Sequence, residues 1–133
     1  MALQLTILSP EKRLLESGEA EEVTLTTGEG LIQVLPGHAA MVGTLETGTF
    51  SYRTPGGQTL SGFISTGFFE VRDDKISLLA ETVETRGDID LERARRAQAR
   101  AEDVLKQIDL DEARLQKYRR KLERAMIRQK LAE

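Results

Sequence analysis

Cysteine is absent from the 133 residues, and histidine occurs once. The first absence excludes a disulfide framework and any thiolate zinc site. The second leaves His38, in the loop sequence Leu35-Pro36-Gly37-His38, a poor metal ligand, because no second His or Cys could share an ion with it. It also leaves a Ser-His-acid arrangement only that one loop histidine as its base. No apolar run approaches the ~20 residues that a membrane-crossing helix needs. Residues 1–15 lack a basic region ahead of a long apolar segment, so they read as neither signal peptide nor anchor, and a soluble cytoplasmic chain is the expectation. The glycines of Gly28-Glu29-Gly30 lack the glycine-rich order ending in Gly-Lys-Ser or Gly-Lys-Thr that cradles phosphates. Asp73-Asp74 falls at a hairpin tip, where paired acids are solvated turn formers. The residues themselves describe a non-enzyme.

Two kinds of periodicity divide what is present. Up to residue 86 the pattern is β. Leu3-Gln4-Leu5-Thr6-Ile7-Leu8 and Val23-Thr24-Leu25-Thr26 alternate, and further strands are predicted over 31–35, 48–53, 58–64, 67–72 and 75–80. Pro36-Gly37, Thr54-Pro55-Gly56-Gly57 and Asp73-Asp74 supply the turns, and many short strands with such turns make a sandwich or a barrel. Arg86-Gly87 is the hinge into a helical segment. There Ala94, Ala97, Ala101, Val104 and Ile108 recur three and four apart, as do Leu115, Tyr118, Leu122 and then Ala125 or Met126. Asp109 with Glu112 has the form of a capping box, which places a second helix start there. Helices joined by so short a connector are antiparallel neighbours. A seam of alanines buries little area, so the hairpin is expected to open readily.

Charge is divided too. Residues 1–86 carry six bases and twelve acids, and residues 87–133 carry thirteen bases and ten acids. Between Ala113 and Lys130, Arg114, Lys117, Arg119, Arg120, Lys121, Arg124, Arg128 and Lys130 face one acid, Glu123. A solvated helix face accounts for such a run, and so does contact with an anionic ligand or an acidic protein surface. Nucleic acid is disfavoured, because the basic helix has a single aromatic, Tyr118, and the remainder of the chain is acidic.

Several ordered stretches carry a resemblance. They are Thr27-Gly28-Glu29-Gly30, Leu35-Pro36-Gly37-His38-Ala39, Gly67-Phe68-Phe69-Glu70-Val71, Asp74 through Thr82, and Ile89-Asp90-Leu91-Glu92-Arg93-Ala94. Over nearly its whole length the chain resembles the epsilon subunit of F-type ATP synthases. The resemblance implies an α+β fold: a ten-stranded N-terminal β-sandwich over 1–86, followed by an antiparallel two-helix hairpin over 87–133. It implies a non-catalytic rotor subunit of the central stalk, peripheral on the cytoplasmic side of the bacterial inner membrane. Its partners would be gamma, the c-ring and the beta and alpha subunits of the catalytic head, with no insertion into the membrane. The hairpin would fold down, or open and hinder hydrolysis by reaching the head. Arg114, Lys117, Arg119, Arg120 and Lys121 would then meet an acidic segment of beta. A helix from Asp111 to Leu131 would be about 30 Å long, enough to probe between subunits.

No cofactor is required by this reading, although some family members bind ATP in the folded hairpin as a regulator. The residues similar to that site are Glu84, Ile89, Asp90, Arg93, Ala94, Arg100, Arg124 and Arg128. Arg93 and Arg100, like Arg124 and Arg128, share one side of a helix, so a closed hairpin could turn guanidinium groups toward phosphates. The bland alternative keeps Asp90 as a helix cap and the arginines toward solvent or beta. Arg95, Arg96 and Arg119 compete for the same role. Ring and gamma docking is implied for the loop region Glu29 to His38, including Gly30, Leu31, Ile32 and Gln33. At Gly30-Leu31-Ile32-Gln33 some relatives carry an acidic residue that this chain lacks. A rival of another class is a stand-alone module that senses ATP or binds an acidic partner.

Overall fold

In the strand Leu3–Leu8 (β1), every second side chain is wholly buried: Leu3, Leu5 and Ile7. That alternation lets one face of a pleated strand meet a core. It recurs with Val23, Leu25 and Thr27 in β3 (Glu22–Thr27), Phe69 and Val71 in β8 (Gly67–Arg72), and Ile76, Leu78 and Ala80 in β9 (Lys75–Ala80). The remaining strands are β2 (Arg13–Ala20), β4 (Gly30–Val34), β5 (Met41–Leu45), β6 (Gly48–Arg53), β7 (Thr59–Ile64) and β10 (Val83–Thr85). The computed structural model describes residues 2–107 and 110–132. It contains two units, Met1–Arg86 and Gly87–Glu133.

The hydrogen-bonded path runs β10-β7-β6-β3-β5-β8-β9-β1-β2, with β4 on the other side of β3. Strand β3 pairs with β6 through Glu22, Val23 and Thr24, but with β5 only at Thr27–Leu45. That single pair joins two layers, β4-β3-β6-β7-β10 and β5-β8-β9-β1-β2, whose inward side chains form the core. The ten-stranded sandwich implied by the resemblance is therefore present. Strands β1 and β9 are parallel, whereas the other described pairs are antiparallel.

Three of these strands, β2, β5 and β10, were not legible locally; β5 does alternate in burial, but its apolar Met41 and Val42 are adjacent in sequence. β2 is an edge strand with register shifts against β1, and Ser17 takes a left-handed φ of 49° there. β5 carries Gly43, where a Cβ would come within 2.6 Å of the Phe69 ring. β10 has only three residues, and it closes on Gly62, where a Cβ would meet the Glu84 carbonyl oxygen at 2.3 Å.

In the second unit, α1 spans Leu91–Leu105 and α2 spans Glu112–Ala132. Asp90 caps α1, its Oδ1 accepting from Arg93 N at 3.1 Å. The helix start anticipated from Asp109 and Glu112 is described from Asp111 onward. Asp111 caps α2, its Oδ1 accepting from Arg114 N at 2.7 Å and its carbonyl from Leu115 N at 3.0 Å. Glu112 is thus the first helical residue, too early to reach back as a box partner. Asp109 itself, and Ile108 of the predicted seam, lie outside the described residues.

Candidate binding surfaces of the hairpin and the sandwich

The hairpin closes on small side chains. Ala94 and Ala101 of α1 and Ala125 of α2 are its buried residues among those described, whereas Met126 is half exposed. The choice left open between Ala125 and Met126 thus falls to alanine. Beside these methyl groups runs a polar ladder. Gln129 Nε2 donates to Gln98 Oε1 and lies 3.3 Å from the Ala125 carbonyl, and Gln98 Nε2 donates to Glu102 Oε1 at 2.8 Å. Sequence reasoning missed this ladder, although its signal was there. Gln98 lies between Ala94 and Ala101, and Gln129 follows Ala125, at seam spacing.

The Gln98–Gln129 bond fixes the relative height of the antiparallel helices. With a rise of about 1.5 Å per residue, Arg100 and Arg128 lie at nearly the same level. Arg93 and Arg124 are separated by about 15 Å along the axis, so those two guanidinium groups must lean toward each other to share a ligand. Arg93 and Arg100 are exposed; Arg124 and Arg128 are half-buried, with their Nε atoms out of solvent. Asp90 spends Oδ1 on its cap, and Ile89 precedes it, half-buried. Glu84 belongs to the first unit, in β10 opposite Phe63.

Arg114, Lys117, Lys121, Arg124 and Arg128 follow one another three and four apart, a stripe along α2. Lys117 and Lys121 place their ammonium groups 5.8 and 5.0 Å from the Tyr118 ring centroid. Arg114, Arg119 and Arg120 are exposed and form no ion pair among the described residues. Lys117 and Lys121 are exposed as well, so Arg114, Lys117, Arg119, Arg120 and Lys121 are exposed cations of α2, whereas Arg124 and Arg128 are half-buried.

The region from Glu29 to His38, read as one docking loop, divides into three parts. Glu29 lies in the β3–β4 turn, where Thr27 Oγ1 accepts from Glu29 N at 3.2 Å and donates to the Gly30 carbonyl at 2.7 Å. Gly30, Leu31, Ile32 and Gln33 then form β4, and His38 lies beyond its far end. At about 3.3 Å per strand residue the two ends are some 16 Å apart, so one flat partner surface cannot meet both turns unless it runs along β4. His38 makes a local contact, its Nδ1 lying 2.7 Å from the Ala39 carbonyl.

A further surface escaped the sequence reading. On the outward face of the second layer Phe68 lies opposite both Leu79 and Thr44, with Val42 one pleat further along β5. Val42, Phe68 and Leu79 are 74, 67 and 50 % exposed. Grouped apolar exposure of this kind marks a surface that another molecule covers.

Comparison with known proteins places these surfaces in a family. Residues 2–86 match the family model described as ATP synthase, Delta/Epsilon chain, beta-sandwich domain. The chain is 42% identical over 130 residues to an ATP synthase epsilon chain of Trichlorobacter lovleyi, covering 98% of this chain and 93% of that one. The chain belongs to the ATP synthase epsilon chain family. An epsilon chain of Geobacter metallireducens is 40% identical over the same share of each chain. Among solved structures, a chain of the Euglena gracilis mitochondrial ATP synthase OSCP/F1/c-ring assembly superposes with a TM-score of 0.83 at 25% identity, covering 94% of this chain and 78% of that one. A chain of the Tetrahymena thermophila mitochondrial ATP synthase central stalk and c-ring shares the fold, with a TM-score of 0.68 at 15% identity, covering 100% of this chain and 98% of that one. The epsilon-family model stops at the sandwich, but the bacterial epsilon chains extend through the hairpin. No helix of this epsilon-family member is long and apolar enough to cross a membrane among the described residues.

Proposed function

We propose that this chain is the rotor-stalk subunit of a proton-translocating F-type ATP synthase, and that its hairpin restrains ATP hydrolysis. The near full-length similarity to bacterial epsilon chains supports the assignment to the complex, and the Euglena assembly containing F1 and c-ring supports the stalk position. In this reading the sandwich is the docking platform. The exposed Val42–Phe68–Leu79 face and the turns at the two ends of β4 meet gamma and the c-ring. The chain has no catalytic role of its own, and it works at the cytoplasmic face of the bacterial inner membrane.

The hairpin's seam carries the regulatory part. Three alanines and a glutamine ladder hold α2, and Arg114, Lys117, Arg119, Arg120 and Lys121 of that helix are exposed. Releasing α2 re-exposes little apolar surface, and the amide groups regain water. The freed helix then presents its cations to an acidic surface of the catalytic head. ATP is the opposing ligand, with Arg100 and Arg128 as its level pair and Arg93, Arg124 and Asp90 around them. Bound ATP would favour the closed hairpin by its differential affinity for that state.

Truncation after Thr85 should leave assembly intact and raise ATP hydrolysis by the reconstituted enzyme. Unchanged hydrolysis would remove the inhibitory role. Calorimetric titration of the isolated protein with MgATP, with Arg93→Ala and Arg128→Ala beside it, addresses the ligand. Binding lost in both variants supports a nucleotide-held latch; no binding at millimolar ATP turns the arginines into partner contacts.

A further inference from the structure

Three segments far apart in sequence meet at Asp74. Its carbonyl accepts from Gln4 N at 2.8 Å, which aligns the start of β1. Its Oδ1 accepts from Gly37 N at 2.7 Å. Asp74 is itself in the tight β8–β9 turn, where Arg72 opposes Lys75 and both Asp73 and Asp74 are left-handed, with φ of 50° and 59°. This is a two-residue hairpin turn, whose shape suits the twist of the flanking strands.

The segment it grips is also a turn. His38 N donates to the Leu35 carbonyl at 3.1 Å, Pro36 takes the first corner, and Gly37 has φ of 84°. Those features make a type II turn, in which the central Gly37 N–H has no partner within the turn. Such a donor is left to solvent unless a side chain takes it. The Asp74 carboxylate takes it, as a charge-assisted acceptor. This turn lies on the stretch that leaves β4 in one layer and enters β5 in the other, and it displays Leu35, which is 47 % exposed.

We infer that Asp74 is a positioning residue for subunit docking: its carboxylate holds the Leu35–His38 turn in the shape that meets a partner subunit. A surface turn anchored at its middle has less conformational freedom to lose when a partner settles on it. The inference rests on the proposed reading of the sandwich as a docking platform.

Two substitutions separate the carboxylate from the hairpin turn. Asp74→Gly tolerates the left-handed φ and removes only the side chain, and Asp74→Asn keeps an acceptor oxygen in a residue that also visits that conformation. Amide hydrogen exchange on the full chain and titration into ATP synthase stripped of this subunit give independent readouts. In Asp74→Gly, Gly37 should exchange about ten-fold faster, the worth of one charge-assisted hydrogen bond, and affinity should fall by about five- to ten-fold. The amides of Phe69 and Leu78 should be unmoved, and Asp74→Asn should restore most of both effects. Unchanged Gly37 exchange in the glycine variant overturns the inference, and so does faster exchange with undiminished affinity. Failure of the wild-type chain to bind the stripped enzyme overturns the docking platform itself, and Asp74's docking role with it. Gly37 exchange would still tell whether the carboxylate shapes the turn.

Discussion

The sandwich and the hairpin bury different things. In the sandwich Leu3, Leu5, Ile7, Leu25, Ile64 and Leu78 are wholly out of solvent, and aromatic Phe50 and Phe69 are nearly so. Each such side chain contributes roughly 1.5–3 kcal/mol on burial. In the hairpin the buried residues among those described are Ala94, Ala101 and Ala125, each offering one methyl group, beside a ladder of amides. A methyl-sized burial is worth about 0.8 kcal/mol, and a net hydrogen bond about 1 kcal/mol. The first unit therefore gains more from each buried side chain than the second does. The charge division follows the same line. The acidic unit is the one with the deep core, and the basic one is the one with the alanine seam.

The largest test of that contrast is Leu78→Ala. It should destabilise the sandwich by about 2–5 kcal/mol in urea unfolding, read on amide signals of the β-strands. A cost below ~1 kcal/mol would mean that the sandwich core yields as easily as the hairpin seam. Next comes Ala125→Leu, where the extra bulk meets α1 at a methyl-wide gap. An overpacking cost of about 1–3 kcal/mol should appear in the helical amides alone. If the strands unfold in step with the helices, the two units share one transition and the comparison fails.

Smaller effects refine the hairpin side. Asp111→Ala removes the α2 cap and should cost about 1 kcal/mol of helix stability, followed by the helical signal in circular dichroism. Gln98→Leu combined with Gln129→Leu replaces the ladder by apolar contact. It should stabilise the closed hairpin by up to ~1 kcal/mol, whereas Gln98→Ala alone strands Gln129 and should weaken it. Equal effects of the two would show that the ladder does not tie the helices. The smallest effect belongs to the sandwich. Burial raises the Tyr52 phenol above its ordinary value. The folded state therefore holds that proton more tightly than the unfolded chain does. The associated stability is complete below the unfolded-state value and is lost as pH rises through the folded one. Phenolate absorbance should show Tyr52 titrating late, and Tyr52→Phe should remove that part of the alkaline destabilisation.

Local order was legible where one residue's neighbours decide its fate. Alternation at Leu3-Leu5-Ile7 and at Ile76-Leu78-Ala80 needs only a strand with one buried face. The 3–4 spacing of Ala94, Ala97 and Ala101, and of Leu115, Tyr118 and Leu122, needs only a helix with one covered side. The turn residues, the boundary near Arg86-Gly87 and the helix pair were readable on the same footing, whereas the family came from the resemblance of ordered stretches. Tertiary structure alone decided which layer each strand joined, through one pair at Thr27–Leu45. It alone turned Ala125 inward and Met126 outward, bonded Gln98 to Gln129, and brought Asp74 to Gly37. Periodicity records which face of an element is covered, because burial repeats with the element's own geometry. It is silent on what does the covering, because a hydrogen bond between residues 37 apart leaves no mark on the spacing around either one.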